Sequence, residues 1–337
     1  MFFWNKNNKD DERRKQREAA TLQALSSGQV PPTARERIER QQAIGSNFFT
    51  SDLSTREYLL CRQSGFKTLG QVMGTSFFNV SFWGFYKSRW NSTGELTNIT
   101  HAQLEARKMA ISRMQHEAQL LGASGVIGVR LVIKSHDWSS RQTEFTAIGT
   151  AVKIPGYPES ELPFTSALNG QDFWKLYQAG YRPLALAFGI CSYYIYSDSR
   201  TQSIVNKQLF GLNLAPNQEV LSYTQGFYQS RNLAMARAQS HIHENGGDGL
   251  IGVAADYEIE DIAYEVNNYT YHDMLVHWTV VGTVISSKEE RLDRLPSPNL
   301  ILDLNSLSRS SVQIDTVYGG TTSSDDDFDI EDDDDDD

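Results

Sequence analysis

Apolar residues recur every three or four positions between His101 and Leu121. The members of this pattern are Leu104, Ile111, Met114, Ala118 and Leu121. Such spacing places the apolar side chains on one face of an α-helix. Thr100 and Gln103 resemble a capping box at its start, and Gly122 can adopt the left-handed conformation that ends a helix. The sequence therefore predicts a helix over residues 101–121.

Alternating apolar positions on both sides of this helix predict β-strands. After the helix, alternation runs through residues 125–134 and again through 144–153. Before the helix, residues 66–73 and 76–87 alternate, and Gly74 between them indicates a turn that joins two strands. The predicted unit is strand, strand, helix, strand, strand. This order favours an α+β fold with one antiparallel sheet and one helix on it.

The chain contains this pattern twice. Phe49-Thr50-Ser51 recurs as Phe164-Thr165-Ser166, 115 residues later, and Gly74 recurs as Gly189. The pairs that follow keep the same order: Arg107 and Arg231, Gly122 and Gly246, Gly125 and Gly249, Gly128 and Gly252, and finally Gly149 and Gly282. Equal order predicts an internal duplication, with a second strand pair at 181–188 and 190–198. We interpret these arginines and glycines as structural and assembly residues.

The first copy resembles a known family. The residues that carry the resemblance are Glu105-Ala-Arg107, Ala110, His116-Glu117-Ala118, Leu121-Gly122-Ala123, Val126-Ile-Gly-Val129 and Gly149-Thr-Ala-Val-Lys153. They are similar to the YbjQ-like family, whose members are often labelled heavy-metal-binding domains. The second copy has His241-Ile242 where the first has Glu117-Ala118 and looks like a diverged sister. The resemblance implies dodecin-like α+β units that assemble into a ring, commonly a pentamer, through strand edges.

Composition and the duplication together divide the chain of 337 residues into five parts. They are a charged, partly helical N-terminal extension (1–48), YbjQ-like domains 1 (49–155) and 2 (164–286), a linker (287–324) and an acidic, disordered tail (325–337). The tail holds eleven of the 42 acidic residues, which leaves 31 acidic and 31 basic residues elsewhere. A body without net charge argues against nucleic-acid binding.

The predicted location is the cytoplasm. Two cysteines cannot form a disulfide framework, and no apolar signal segment follows the first residues. The longest stretch without charge, 68–86, contains glycine, asparagine, glutamine and serine, so we predict no transmembrane helix.

The metal label finds little support among the residues. Cys61 and Cys191 do not occupy equivalent positions in the two copies. The weak candidates for a metal site are His116, Glu117 and His101, and they require several chains to converge on an axis. We expect no cofactor, with an unassigned metal left open. No nucleophile is accompanied by an evident base, so an enzyme is the less favoured class.

The sequence therefore predicts a non-enzymatic scaffold or binding protein that forms a ring-like homo-oligomer. A pentamer of two-domain chains would stack two rings, and residues 1–48 or the acidic tail would dock a protein partner. The alternative is a metal- or small-ligand-binding protein with sites at subunit interfaces. Aromatic residues fit either a core between the copies or an oligomer interface. They are Phe77, Phe78, Phe82, Trp83, Phe85, Tyr86, Tyr193, Tyr194 and Tyr196.

Overall fold

Two helices precede the repeated part of the chain. The computed structural model describes residues 2–44, 49–79, 92–136, 139–157, 160–205, 208–209, 212–213, 217–266, 269–287 and 316–317. Helices α1 (Phe2–Ser26) and α2 (Pro32–Ile44) meet at a break where Gly28 has a φ of 72°. Val30 and Ile38 are buried. The break and α2 therefore pack against the body of the protein.

The main elements of residues 49–155 recur in the same order in residues 164–287; we call these the first and second unit. The first unit contains α3 (Thr55–Gln63), β1 (Lys67–Asn79), β2 (Gly94–Glu95), α4 (Thr97–Leu120), β3 (Gly125–His136) and β4 (Ser139–Lys153). The second unit contains β5 (Phe164–Thr165), α5 (Gly170–Gln178), β6 (Tyr181–Ile195), α6 (Ser199–Val205), β7 (Gln208–Leu209), β8 (Leu212–Asn213), α7 (Leu221–Glu244), β9 (Gly249–Val266) and β10 (Tyr269–Ser287). A last short strand is β11 (Thr316–Val317).

Each unit has one long strand before its main helix, so the predicted turns at Gly74 and Gly189 are wrong. Strands β1 and β6 run straight through these glycines. A Cβ atom on Gly74 would lie 2.0 Å from the carbonyl oxygen of Ala110, and one on Gly189 would lie 1.8 Å from that of Ala234. The glycines are needed because the helix backbone lies directly on the strand, and no side chain fits between them.

The predicted helix is confirmed, but its predicted capping box is wrong. Helix α4 begins four residues earlier than the predicted start, after Leu96, which makes no side-chain cap. Thr100 therefore lies inside the first turns, and its hydroxyl accepts the backbone N–H of Ser192 at 3.0 Å. Gly122 has a φ of 73°, as predicted for the residue after the helix.

The two large sheets are tied together by short strands that cross between the units. The first sheet has the order β1-β4-β3-β11, with β5 of the second unit also paired to β3. The second has the order β2-β6-β10-β9, so β2 of the first unit pairs with β6. Strands β7 and β8 form a separate pair. Strand β11 pairs with β3 although its residues belong to the predicted linker.

The long strand β6 packs on both of its faces. Cys191 and Ile195 belong to a core with Ala234 and Ala238 of α7. Other β6 side chains join the core of the first unit: Leu186, Phe188 and Ile190. The α+β class is confirmed, and more than one hydrophobic core contains side chains of both units. Residues 80–91, which include four of the aromatic residues, and the predicted acidic tail lie outside the described residues.

Candidate functional site

The repeated Phe-Thr-Ser and Gly-Thr motifs meet in each unit. Ser51 Oγ lies 3.2 Å from Thr150 Oγ1, and Ser166 Oγ lies 3.4 Å from Thr283 Oγ1. In both units the backbone N–H after the serine donates to the same threonine, at 3.2 and 2.9 Å. In each unit, this serine and threonine therefore hold the start of the unit against its last long strand.

A helix arginine bonds the underlying strand in each unit. Arg113 of α4 and Arg237 of α7 donate through Nη1 to a backbone carbonyl oxygen of β1 and β6, respectively. Their second nitrogens have different acceptors. Arg113 Nη2 donates to the carbonyl of Leu25 at 3.0 Å, whereas Arg237 Nη2 donates to the carboxylate of Glu95 at 2.8 Å. The first contact reaches the N-terminal helices, and the second joins the two units.

Glu117 connects the N-terminal extension to the first unit. Its carboxylate is buried, accepts the N–H of Met73 at 3.0 Å and lies 2.8 Å from Nη2 of Arg37. Burial raises the pKa of Glu117, while the Met73 N–H and the Arg37 guanidinium act in the opposite direction. The Arg37 charge offsets part of the cost of burying this carboxylate, so Glu117 fixes helix α2 in place.

His241 occupies the position of Glu117 in the second unit. Its Nδ1 faces the N–H of Phe188 at 3.4 Å, and its ring lies edge-on to the Phe188 ring at 4.8 Å. As an acceptor, Nδ1 carries no proton, so the neutral ring has its proton on Nε2. Burial lowers the pKa of His241. The neutral imidazole thus accepts a backbone N–H of β6, as the Glu117 carboxylate accepts a backbone N–H of β1.

The three metal candidates do not converge. His101 is exposed on α4, and His116 Nδ1 lies 2.8 Å from the carbonyl of Ser112. Glu117 is engaged by Arg37. Among the described residues, no three or more His, Cys, Asp or Glu side chains lie close enough together to hold a metal ion. A site on these residues would need ligands from other chains.

The two cysteines lie in separate cores. Cys61 packs near Phe66 and Phe173, whereas Cys191 packs under α7. Burial is the main cause that raises the pKa of Cys61 to about 11 and that of Cys191 to about 12. Both thiols are therefore neutral near pH 7, and they behave as small apolar side chains.

The two repeated arginines have different surroundings. Arg107 is buried, with its guanidinium 4.9 Å from the centre of the Phe145 ring. Its Nη2 lies 3.4 Å from Thr279 Oγ1 of the second unit. Arg107 therefore contributes to the contact between the units. Arg231, at the matching position of α7, is exposed.

The repeated glycines serve turns and close contacts. Four have φ between 59° and 73°, which is the left-handed region that favours glycine: Gly122, Gly128, Gly246 and Gly252. A Cβ on three others would press on an apolar side chain: Gly125 against Phe164, Gly149 against Val126 and Gly282 against Leu250. Gly249 has open space around the position of a Cβ. Apart from Gly249, these glycines have a steric reason for their lack of a side chain.

A serine, a histidine and an acid lie side by side where β6, β10 and β9 pair. Ser192 Oγ is 2.8 Å from His277 Nδ1, and the Glu260 carboxylate is 3.4 Å from Nε2. Ser192 is completely buried. No substrate can reach its hydroxyl, so this group stabilises the sheet rather than forming a nucleophile. Sequence reasoning missed it because the three residues come together only through strand register.

Asp273 is a second buried polar residue that the sequence did not reveal. It accepts hydrogen bonds from the hydroxyl of Tyr194 and from the N–H of Ser197 at 2.8 Å. Burial raises its pKa, and these hydrogen bonds oppose the increase. Such donors offset the cost of burying a carboxyl group, so Asp273 ties the end of β6 to β10.

Comparison with known proteins identifies the family. Residues 66–155 match the YbjQ family, described as "putative heavy-metal-binding". The encapsulin nanocompartment protein Rv1762c of Mycobacterium tuberculosis is 32% identical over 287 residues, which cover 84% of this chain and 100% of that protein. This chain belongs to the YbjQ-like family.

Shorter relatives match only part of the YbjQ-like chain. A UPF0145 protein of Clostridium perfringens is 37% identical over 86 residues, covering 26% of this chain and 69% of that protein. A UPF0145 protein of Thermotoga maritima is 44% identical over 61 residues, covering 18% of this chain and 56% of that protein. Neither name denotes an enzyme. No solved structure matches the chain.

Helix length and composition also bear on membrane association. Among the described helices, none combines the length and the apolar character needed to cross a membrane.

Proposed function

We propose that this YbjQ-like protein is a non-enzymatic, oligomeric scaffold built from two YbjQ-like units, with its terminal extensions available to dock protein partners. The Mycobacterium tuberculosis relative, which covers most of the chain, is named a nanocompartment protein. A protein with that name belongs to an assembly, which supports self-association here.

Exposed apolar side chains on the outer face of the first sheet carry this proposal. Met73 and Phe77 of β1 are both exposed, although they lie on a strand whose other face is buried under α4. Strand β1 is also an edge strand with no neighbouring strand beyond it among the described residues. Apolar side chains on an unpaired edge are usually covered by another chain. An oligomer would remove both from water.

The alternative, ligand or metal binding at an interface, is favoured by one cleft. A cleft of about 510 Å³ lies between the two units, lined by Lys108 of α4, Glu161 of the connecting segment, and His241 and Glu244 of α7. His241 Nε2 lies 4.0 Å from Glu244 Oε2. Glu244 offers one carboxylate ligand, and Nε2 of His241 becomes a second only if Nδ1 gives up the Phe188 N–H and takes the ring proton, so a metal there would need further ligands from another molecule.

Native mass spectrometry of the full chain, with elemental analysis of the same sample, tests both functions. An oligomer without stoichiometric metal is expected for the scaffold. A monomer at micromolar concentration would contradict the scaffold, and a reproducible metal per subunit that is lost on dissociation would favour the alternative.

A further inference from the structure

The two units of one chain pack against each other over several elements, and we call the part of this contact formed by α4, β3 and β6 the joint. The first unit contributes the outer side of α4 and one side of β3, its forward face: Leu104, Arg107, Val129, Leu131 and Ile133. The second unit contributes residues 164–168 and one side of β6, its rear face: Leu186, Phe188, Ile190 and Ser192. Every one of these forward-face and β6 side chains is at most 9% exposed. The joint therefore buries both faces almost completely.

The second unit has a matching forward face whose side chains are exposed. Its positions, 124 residues after Leu104, Val129 and Ile133, are Tyr228, Val253 and Tyr257. Their exposures are 57, 44 and 52%. The second unit thus exposes an apolar surface that corresponds to the surface of the first unit buried in the joint.

The first unit likewise has a rear face with exposed apolar side chains. Met73 and Phe77 lie 115 residues before Phe188 and Ser192. They are 50 and 58% exposed, against 4 and 0% in the second unit. The chain therefore exposes both surfaces that a second joint needs: the forward face of the second unit and the rear face of the first unit.

The exposed forward face of the second unit keeps the polar residues of the joint. In the joint, the first unit donates or accepts through Glu95, Thr100 and Arg107, and Gln115 donates to the carbonyl of Pro163 just before the second unit. The residues 124 positions later are identical: Glu219, Thr224, Arg231 and Gln239. Three of them are exposed: Glu219, Arg231 and Gln239. Because all four residue types are the same in both units, the forward face of the second unit can make the same hydrogen bonds with another molecule.

We propose that two copies of this chain join head to tail by repeating the joint, so that the forward face of the second unit binds the rear face of the first unit in the next copy. The proposal deepens the scaffold function, on which it rests, by naming the surfaces and the partner. Residues 49–53 of the partner subunit would lie along β9 as residues 164–168 lie along β3. Arg231 would reach the partner's Thr146 as Arg107 reaches Thr279.

The ion pair of the joint predicts that Arg113 changes its hydrogen-bond acceptor when two copies associate. Arg237 pairs with Glu95 across the joint, and the corresponding pair between copies is Glu219 with the partner's Arg113. In the isolated chain, Arg113 Nη2 donates to the neutral carbonyl of Leu25. Docking would replace this acceptor by a carboxylate. A charge-assisted hydrogen bond is stronger than a neutral one, so the exchange favours association.

The joint also determines how an assembly can close. It is heterologous, and repetition of a heterologous contact gives a closed ring or an open filament. The forward face of the first unit is already covered by the second unit of the same chain. First and second units must therefore alternate, and a ring contains an even number of units. Two stacked rings, each made of one kind of unit, do not fit this joint.

Complementary blocking variants test the proposal. The forward-blocked chain is Tyr228→Glu with Val253→Glu, and the rear-blocked chain is Met73→Glu with Phe77→Glu. All four side chains are roughly half exposed, so each variant is expected to fold, which circular dichroism and thermal unfolding check. Leu22→Glu, at a side chain that is 68% exposed on α1, is the matched control.

Native mass spectrometry then measures wild type, each variant and their equimolar mixture. Wild type and Leu22→Glu are expected to form large assemblies, each folded blocked variant a monomer, and the mixture a dimer of one copy of each. An unchanged wild-type assembly in both variants would overturn the head-to-tail joint but leave the scaffold function intact. A mixture of folded variants that stays monomeric would also overturn the joint. A monomeric wild type would overturn both.

A milder variant checks the ion pair. Glu219→Ala is expected to raise the concentration at which the assembly dissociates about tenfold, which corresponds to about 1.4 kcal/mol per joint. Gln218→Ala, at the exposed neighbouring position, is expected to leave this concentration unchanged. Equal effects of the two variants would contradict a pair between Glu219 and Arg113 of the partner subunit.

Discussion

The hydroxyl of Thr283 lies 3.4 Å from Ser166 Oγ, and both side chains are completely buried. Thr283 also accepts the N–H of Ala167 at 2.9 Å. Thr283→Val keeps the shape of the side chain but leaves the Ala167 N–H without its acceptor. We expect this to lower the free energy of unfolding by about 1–3 kcal/mol. Urea unfolding of the full chain measures this loss. Thr150→Val, which removes the matching bond of the first unit, is expected to cost a similar amount, and a neutral Thr283→Val would contradict the structural role.

The close contact between β6 and α7 depends on Gly189. A Cβ atom there would lie 1.8 Å from the carbonyl oxygen of Ala234, so strand or helix must shift in Gly189→Ala. We expect a loss of about 3 kcal/mol in the free energy of unfolding. Gly249→Ala is the control, because nothing lies within 4 Å of its added methyl group. Equal melting temperatures of the two variants would refute the close-contact explanation.

The N-terminal helices should depend on Arg37. In Arg37→Ala, the buried Glu117 carboxylate loses its cationic partner. Because Arg37 is partly exposed, we expect a moderate loss of about 1–2 kcal/mol at pH 7. Limited proteolysis should also cleave the α1–α2 region faster. Arg35→Ala, whose exposed guanidinium donates to the nearby Gln29 side chain at 3.3 Å, serves as the control and should cleave at the wild-type rate.

The stability of the chain should fall as the pH drops below about 6.5, in part because of His241. Burial lowers the pKa of His241 below its unfolded value, so the unfolded chain takes up a proton that the folded chain resists. The groups that face it are Glu244, Lys108 and the Phe188 ring. The Glu244 carboxylate opposes the burial effect, and the Lys108 charge adds to it.

His241→Gln removes this titration while offering a neutral oxygen to the N–H of Phe188. Between pH 6.5 and 5.5, wild type should lose up to about 1 kcal/mol more than His241→Gln in the free energy of unfolding, because the unfolded imidazole is already half protonated at the start of this range. Urea titrations at both pH values measure the difference. Parallel losses in the two proteins would show that His241 does not contribute.

Local patterns were sufficient to predict helix α4 and strands β3 and β4, because periodicity of apolar residues reports which side of an element is buried. The same patterns failed at Gly74. A glycine between two alternating segments predicts a turn, and only the position of Ala110 above it reveals a close helix contact instead. The capping box at Thr100 failed for a related reason, since its hydroxyl bonds Ser192, 92 residues away.

The candidate site could likewise be predicted only in part from the sequence. The sequence identified the repeated arginines and glycines but could not assign them partners. It also could not reveal the Ser192, His277 and Glu260 group or the buried Asp273, because these contacts depend on the register between strands that are distant in sequence.

By itself, the sequence determined the α+β class, the positions of the main helices and most strands, and the likeness between residues 49–155 and 164–286. These properties follow from spacing along the chain. The tertiary structure decided that the two units bury one pair of faces against each other while the similar pair stays exposed: Phe188 is 4% exposed and Met73 is 50% exposed. The physical reason is that burial depends on what lies opposite a side chain, and two positions with the same local pattern can face a neighbour or water.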